Sequence, residues 1–207
     1  MLVKVCGMRD QQNAEAVESL GISMMGFIFH EPSPRYVGTT TPTTSQGTTR
    51  VGVFVNKPLD YILNMASLNH LDAIQLHGTE SVELCKTLKT KGFKVLKAIS
   101  VATVEDLRKC ADYEPHVDLF VFDTKCSGYG GSGERFDWGI LDSYQGETPF
   151  LLSGGIDKTM SEEIKTLTHH KLIGVDLNSR FEISPALKDA NALKYFIENL
   201  RGGLISP

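Results

Sequence analysis

The feature that most constrains this chain is an alternation: short apolar runs recur from end to end, and stretches of helical period separate them. A strand-sized run followed by an amphipathic stretch reads as a βα unit, and such units in series build a parallel sheet. The runs lie at about Leu2 to Cys6, Met24 to Phe29, Val51 to Val55, Ala73 to Leu76, Lys94 to Ile99, Leu119 to Phe122, Phe150 to Leu152 and Leu172 to Asp176, eight in all. Helices are expected at Asp10 to Leu20, Pro58 to Leu68, Glu80 to Lys91, Val104 to Ala111, a short one from Asp137, Lys158 to Thr168, and about Lys188 to Leu200. Eight units close into a single-domain α/β fold, the (βα)8 or TIM barrel, whose sizes begin at about 200 residues. With 207 residues the chain suits one such domain over 1–207.

Local signals refine this outline. Thr79 and Thr103 sit where N-caps belong, and Asp106, three residues after Thr103, completes a capping box with Asp in place of Glu or Gln. One connection breaks the pattern. Residues 37–50 are rich in Thr, with Gly38, Pro42 and Gly47, and β-branched residues, glycines and a proline disfavour a helix. The second crossover is therefore expected to be irregular, poorly ordered, or at most a single helical turn.

Bulk properties exclude several roles. A hydrophobic content of 41% suffices for a core. A formal net charge of −4 gives no basic footprint for nucleic acid. No run is long enough for a membrane span, and the N-terminus enters a strand at once, leaving no room for a signal peptide. Cys6, Cys85, Cys110 and Cys126 show no C-x-x-C spacing and are too sparse for a disulfide framework, so reduced thiols in a cytoplasm are expected. Nothing suggests a large apolar interface, and a monomer is expected. The end at Ser206-Pro207, shortly past the last helix, is expected of a complete chain rather than half of a fusion.

A barrel keeps its reactive groups at the C-terminal ends of its strands. Near the chain's end, Phe150-Leu151-Leu152 stops on Ser153-Gly154-Gly155 and leads toward a helix near Asp157. Two glycines let backbone N–H groups approach an anion, and a helix start adds its dipole. One unit later the strand ending at Asp176 runs out into Asn178-Ser179-Arg180. Tight strand-to-helix turns use glycine anyway, but two such turns in the last two units fit the usual phosphate position of a barrel.

Period two in the first strand puts Val3 and Val5 on one face and Lys4 and Cys6 on the other, toward the barrel axis. Cys6 then stands at a strand end before Gly7. A lone Cys is more often an inert small hydrophobe, but at this position a thiolate serves as nucleophile or base. Lys4, deeper, needs a carboxylate if buried, and Asp176 on the eighth strand is the expected partner. Pro32 and Pro34 stiffen the loop that carries Arg35, which suits a two-bond clamp on a carboxylate as well as a solvated surface charge. His77 ends the fourth strand, where it titrates, donates, stacks on a ring or merely packs. Asp123 follows Leu119-Phe120-Val121-Phe122 and precedes a glycine-rich loop, Ser127 to Gly133, able to close over a ligand. A carboxyl at the rim of an apolar layer is placed to hold a proton for donation. The loop is not a dinucleotide fingerprint, because Gly128, Gly130 and Gly131 do not make G-x-G-x-x-G. Trp138 reads as an anchor of the short helix to the barrel, in preference to a substrate contact.

Taken together, Lys4-Val5-Cys6-Gly7-Met8-Arg9, Ser33-Pro34-Arg35-Tyr36-Val37, Val51 to Asn56, Gln75-Leu76-His77-Gly78, Asp123-Thr124 with Gly130 to Gly133, Phe136-Asp137-Trp138, Ser153-Gly154-Gly155-Ile156 and Lys188-Asp189 resemble the phosphoribosylanthranilate isomerase family of tryptophan biosynthesis over almost the whole chain. The resemblance implies an isomerase that carries out the Amadori rearrangement of N-(5-phosphoribosyl)anthranilate to 1-(2-carboxyphenylamino)-1-deoxyribulose 5-phosphate. It implies Cys6 as general base at sugar C2, Asp123 as general acid at the ring oxygen and Arg35 as holder of the anthranilate carboxylate. Phosphate would rest on Gly154, Gly155, Asn178 and Ser179, with His77 and Asp176 also at the substrate, and no metal or organic cofactor is implied. A free thiol is only slightly ionised at pH 7, so Cys6 is expected to be shifted down or activated on substrate binding.

Two departures stand out: the curtailed second crossover, and Ala186 where the family usually has glycine, which costs about 1 kcal/mol or shifts the backbone if φ there is positive. The histidine-pathway sugar isomerases, also barrels performing an Amadori rearrangement, resemble the chain less, since they use a carboxylate where Cys6 stands and carry two phosphate sites. A phosphosugar-binding barrel without turnover is the rival from another class.

Overall fold

The computed structural model describes residues 1–45, 47–124 and 137–202. Eight parallel strands, β1 (Leu2–Cys6), β2 (Met24–Ile28), β3 (Thr49–Phe54), β4 (Ala73–Leu76), β5 (Lys94–Val101), β6 (Leu119–Thr124), β7 (Phe150–Leu152) and β8 (Leu172–Leu177), close into a barrel in chain order, with β8 against β1. Around them run α1 (Gln11–Glu18), α2 (Leu59–Leu68), α3 (Val82–Thr90), α4 (Val104–Arg108), α5 (Cys110–Tyr113), α6 (Ser161–Thr166) and α7 (Ala190–Leu200). The expected barrel is present, and all eight strands fall where the apolar runs placed them, to within two residues at either end.

Alternation along the strands divides the apolar residues into two cores. Val51, Ala73, Leu96, Ala98, Leu119, Val121 and Leu151 fill the barrel interior. Val3, Val5, Phe120, Phe122, Phe150 and their neighbours face outward against the helices, as the period-two reading of β1 required. Each fully buried Phe contributes about 1.5–3 kcal/mol relative to exposure. Trp138, buried, opens a 3-10 helix over Trp138–Ser143 and is part of the outer core, the anchoring position expected for it.

Between β2 and β3 no helix forms among the described residues, as the Thr-rich composition predicted, although Thr49 and Arg50 belong to β3. Side chains hold this crossover in place of a helix's own hydrogen bonds. Asn69 Oδ1 accepts from Thr41 N–H at 2.8 Å, Arg50 Nη1 donates to Pro42 O at 2.9 Å, and Arg50 lies 4.9 Å over the Phe27 ring.

Several helix ends differ from expectation. The capping box of Thr103 and Asp106 forms at α4. Thr79, by contrast, does not cap α3. Its N–H donates to Asn56 Oδ1 at 2.8 Å, while Glu80 is drawn back to the amides of Asn56 and Gly78, so the cap passes to Ser81, which accepts from Leu84 N–H at 3.3 Å. The expected helix Val104 to Ala111 is divided into α4 and α5. The one expected from Lys158 starts later, because Asp157 accepts from Thr159 N–H at 2.8 Å in a local turn and α6 opens only at Ser161. The last helix starts at Ala190, capped by Asp189. Lys188 before it belongs to an antiparallel hairpin, β9 (Glu182–Ser184) with β10 (Leu187–Lys188), that the apolar pattern did not announce. Its turn contains Ala186 at φ 67°, the left-handed conformation that glycine would meet without strain.

Candidate functional site

The C-terminal ends of the strands open on a cavity of some 770 Å³, measured out to its mouth. Of the residues singled out in the sequence, Cys6, His77, Asp123, Gly154, Gly155, Asp176, Asn178 and Ser179 all line it. His30, Ser33 and Ser153 line it as well and were not among them. Ser153 was legible in principle, since it follows β7 directly at the mouth. Val53 and Val55, inward-facing on and just past β3, give the cavity an apolar wall.

Cys6 ends β1 and is 4% exposed. Of the two expectations for it, a downward shift or activation on substrate binding, the first is not what the surroundings produce: burial pushes the thiol up, Lys4 and Lys188 pull it down, Asp176 pushes it up further, and the balance is upward. Burial outweighs the ammonium groups. Lys4 is fully buried beneath Cys6, and its Nζ donates to Asp176 Oδ2 at 2.7 Å, the ion pair expected from the sequence. Burial pulls the Lys4 ammonium down, but Asp176 and Cys6 more than offset this and hold it above its ordinary value.

On the far side of the mouth, His77 Nε2 lies 3.3 Å from Asp123 Oδ2. The other ring nitrogen of His77 lies 2.8 Å from Nε2 of Gln75, a buried residue of the barrel interior. His30, after β2, is pulled down by burial and by Lys57.

The two turns of the proposed anion cradle have the shape their glycines allow. Gly154 and Gly155 both take positive φ, 86° and 68°, which exposes successive amides at the end of β7. The helix dipole expected near Asp157 is displaced to Ser161, at the start of α6. After β8, a 3-10 helix over Ser179–Phe181 opens directly at Asn178.

Arg35 stands outside the cavity lining. Its guanidinium takes Glu182 in two-pronged fashion, Nε to Oε1 at 2.9 Å and Nη2 to Oε2 at 2.7 Å. Its stem packs beside Gly7, where an added Cβ would come within 2.9 Å of Arg35 Cδ and of Asn178 Oδ1. Neither Glu182 nor its buried partner Lys188 was read as a site residue from the sequence, although the Lys188-Asp189 pair had been noted. Cys126 and the glycine-rich loop from Ser127 to Gly133 lie outside the described residues. Cys6, Cys85 and Cys110 are free thiols. Among the described residues no helix is long and apolar enough to cross a membrane.

A protein from Parabacteroides distasonis named N-(5'-phosphoribosyl)anthranilate isomerase is 50% identical over 207 residues, covering 97% of this chain and 93% of its own. The crystal structure of phosphoribosyl anthranilate isomerase from Thermotoga maritima superposes with a TM-score of 0.84 at 31% identity, over 98% of this chain and 99% of that one. Another phosphoribosyl anthranilate isomerase, solved in complex with reduced 1-(o-carboxyphenylamino)-1-deoxyribulose 5-phosphate, gives 0.80 at 29% identity over 98% and 100%. The family model of N-(5'-phosphoribosyl)anthranilate isomerase matches residues 3–199, and the chain belongs to that family.

Proposed function

We propose that Cys6 is the base and Asp123 the acid of this isomerase. Its reaction is the Amadori rearrangement of N-(5-phosphoribosyl)anthranilate to 1-(2-carboxyphenylamino)-1-deoxyribulose 5-phosphate in tryptophan biosynthesis. Asp123 gives a proton to the furanose ring oxygen while the anilino nitrogen supplies electrons and the C1–O bond breaks. Cys6 then takes the proton from C2 of the ring-opened, cationic Schiff base. The resulting enolamine becomes the ketone as C1 takes up a proton and the C2 hydroxyl gives one up.

The observation that carries this reading is that Cys6 on β1 and Asp123 on β6 line one cavity from different sides of the mouth. Acid and base must act on separate atoms of one sugar, and each contributes about 10²–10⁴-fold. Because burial holds the Cys6 thiol up, its ionisation is coupled to substrate: positive charge on the Schiff base favours thiolate beside it. Gly154, Gly155, Asn178 and Ser179 are the phosphate seat, the place barrels commonly use after strands seven and eight. His77 and Asp176 face the sugar between them, and Arg35 takes the anthranilate carboxylate.

The redistribution of protons and electrons is internal to the substrate, so no cofactor is part of the proposal. We further propose a single catalytic domain acting as a cytoplasmic monomer. Of the exposed large apolar side chains, Leu68, Val104 and Tyr195 lie on three different helices, and only Ile183 and Leu187 share an element, the β9–β10 hairpin. Sedimentation at micromolar concentration tests the oligomeric state. The decay of N-(5-phosphoribosyl)anthranilate fluorescence tests the chemistry. Cys6→Ser and Asp123→Asn, folded, are each expected to lose about 10²–10⁴ in kcat. Retention of parent-like kcat in either variant would move that proton to another residue.

A further inference from the structure

The hairpin of β9 and β10 carries a closed hydrogen-bond network. Lys188 Nζ, on a side chain with no exposed surface, donates to Glu182 Oε1 at 2.7 Å, to Asn178 Oδ1 at 2.7 Å and to the Asn178 carbonyl at 3.3 Å. Glu182 Oε1 also accepts from Arg35 Nε and, at 3.1 Å, from the N–H of the left-handed Ala186. Its Oε2 accepts from Arg35 Nη2 and Nε at 2.7 and 3.0 Å. The backbone of Lys188 is pinned in turn to α1, its N–H donating to Asn13 Oδ1 at 2.8 Å and its carbonyl accepting from Asn13 Nδ2 at 2.9 Å.

Each bond in this network removes a freedom. A carboxylate offers about four acceptor directions, and those of Glu182 are taken. Glu182 cannot swing away without leaving a buried ammonium without its counter-charge, which is strongly unfavourable. Arg35 has five N–H donors, and the edge formed by Nε and Nη2 belongs to Glu182. What remains is the edge formed by Nη1 and the outer Nη2 hydrogen, again the spacing of a carboxylate. Two cations and one anion leave the cluster one unit positive, so one further carboxylate neutralises it.

We propose that Glu182, locked by Lys188 and the Ala186 amide, fixes which edge of Arg35 meets the substrate and so determines the enzyme's preference for a carboxylate on the aniline ring. This rests on the reading of Arg35 as carboxylate holder. Glu182 is a positioning residue. Lys188, bonded to both Glu182 and Asn178, ties the carboxylate end of the site to the turn after β8.

The test is calorimetric binding of two ligands, reduced 1-(o-carboxyphenylamino)-1-deoxyribulose 5-phosphate and its counterpart without the carboxylate. In Glu182→Gln the carboxylated ligand is expected to weaken about tenfold and the other less than about threefold. Lys188→Met is expected to act in the same direction. Glu182→Asp, which keeps the charge, restores part of the preference and serves where Glu182→Gln does not fold. An unchanged preference overturns the proposal, as does equal weakening of both ligands, which would mean a merely structural role. Tighter binding of the carboxylated ligand also overturns it, since Glu182 would then be a competitor for Arg35. Arg35→Ala separates the two readings. If it leaves the preference intact, the carboxylate reading of Arg35 fails and the proposal with it. If it abolishes the preference while Glu182→Gln keeps it, only the role of Glu182 fails.

Discussion

Cys6 on β1 lies in register with Gly26 on β2, and a Cβ added at Gly26 would stand 2.7 Å from Cys6 Sγ and 3.1 Å from Cys6 Cα. The thiol occupies room that exists because Gly26 has no side chain. The Cys6 backbone cannot retreat, since the amides of Gly7 and Met8 both donate to the Gly26 carbonyl, at 2.9 and 3.1 Å. Gly26→Ala is therefore expected to turn the thiol out of its position. Loss of kcat by about a hundredfold, the scale of a misplaced catalytic group, is the expected result in a stopped-flow fluorescence assay. A parent-like kcat would show that Sγ has free choice of rotamer.

Gln75, His77 and Asp123 form a second relationship with a kinetic consequence. Gln75 Nε2 lies 2.8 Å from His77 Nδ1, and an amide N–H donated there leaves the ring N–H at Nε2, 3.3 Å from Asp123 Oδ2. In the proposed mechanism that donor would steady the carboxylate left behind when Asp123 gives up its proton. Gln75→Leu removes the bond that selects this tautomer. Its kcat is expected to fall about three- to tenfold with little change in KM, the worth of one neutral hydrogen bond. Nitrogen-15 shifts of the His77 ring check the premise directly: the parent should show a bare Nδ1.

Legibility followed the range of the interactions. The strands were readable because period-two burial is written locally, and Cys6, His77 and Asp123 were readable as candidates because each stands where such a run ends. The Lys4–Asp176 pair was inferable from topology, since β1 must meet β8 when a barrel closes. Glu182 was not: it meets Arg35 across 147 residues of sequence, from a segment with no apolar period. The cap of α3 moved from Thr79 to Ser81 because Lys97 and two backbone amides hold Glu80, contacts that local propensity cannot express. A downward shift of Cys6, one of the two alternatives expected for it, does not occur, for a similar reason. Neighbouring lysines are visible in a sequence, whereas the depth of burial is not.

Lys4 and Asp176 make a buried ion pair across β1 and β8, with side-chain exposures of 0% and 5%. Breaking one partner leaves the other charged and dry. Lys4→Met is expected to cost about 3–5 kcal/mol in urea unfolding, and adding Asp176→Leu should recover most of it, because a packed apolar pair lacks the desolvation penalty. If the double variant is as unstable as the single one, packing rather than charge dominates at this site.

Asp106 supplies the pH-dependent case. Burial would raise its carboxyl, but the Lys109 ammonium at 2.7 Å and the amides of Ala102 and Thr103 more than offset this and hold it down at about 2. A free Asp titrates near 3.9. The folded value lies below the unfolded one, so the native state binds fewer protons between them and the stabilisation is present above about pH 4. It declines as pH falls toward 2. Asp106→Asn removes the Lys109 bridge and weakens the capping box, at a cost of about 1 kcal/mol at pH 7. The expected signature is a gap between the urea midpoints of parent and variant that is constant from pH 7 to about 5 and narrows from pH 4 to 3. A gap that persists unchanged at pH 3 would mean that the carboxyl contributes by shape rather than by charge.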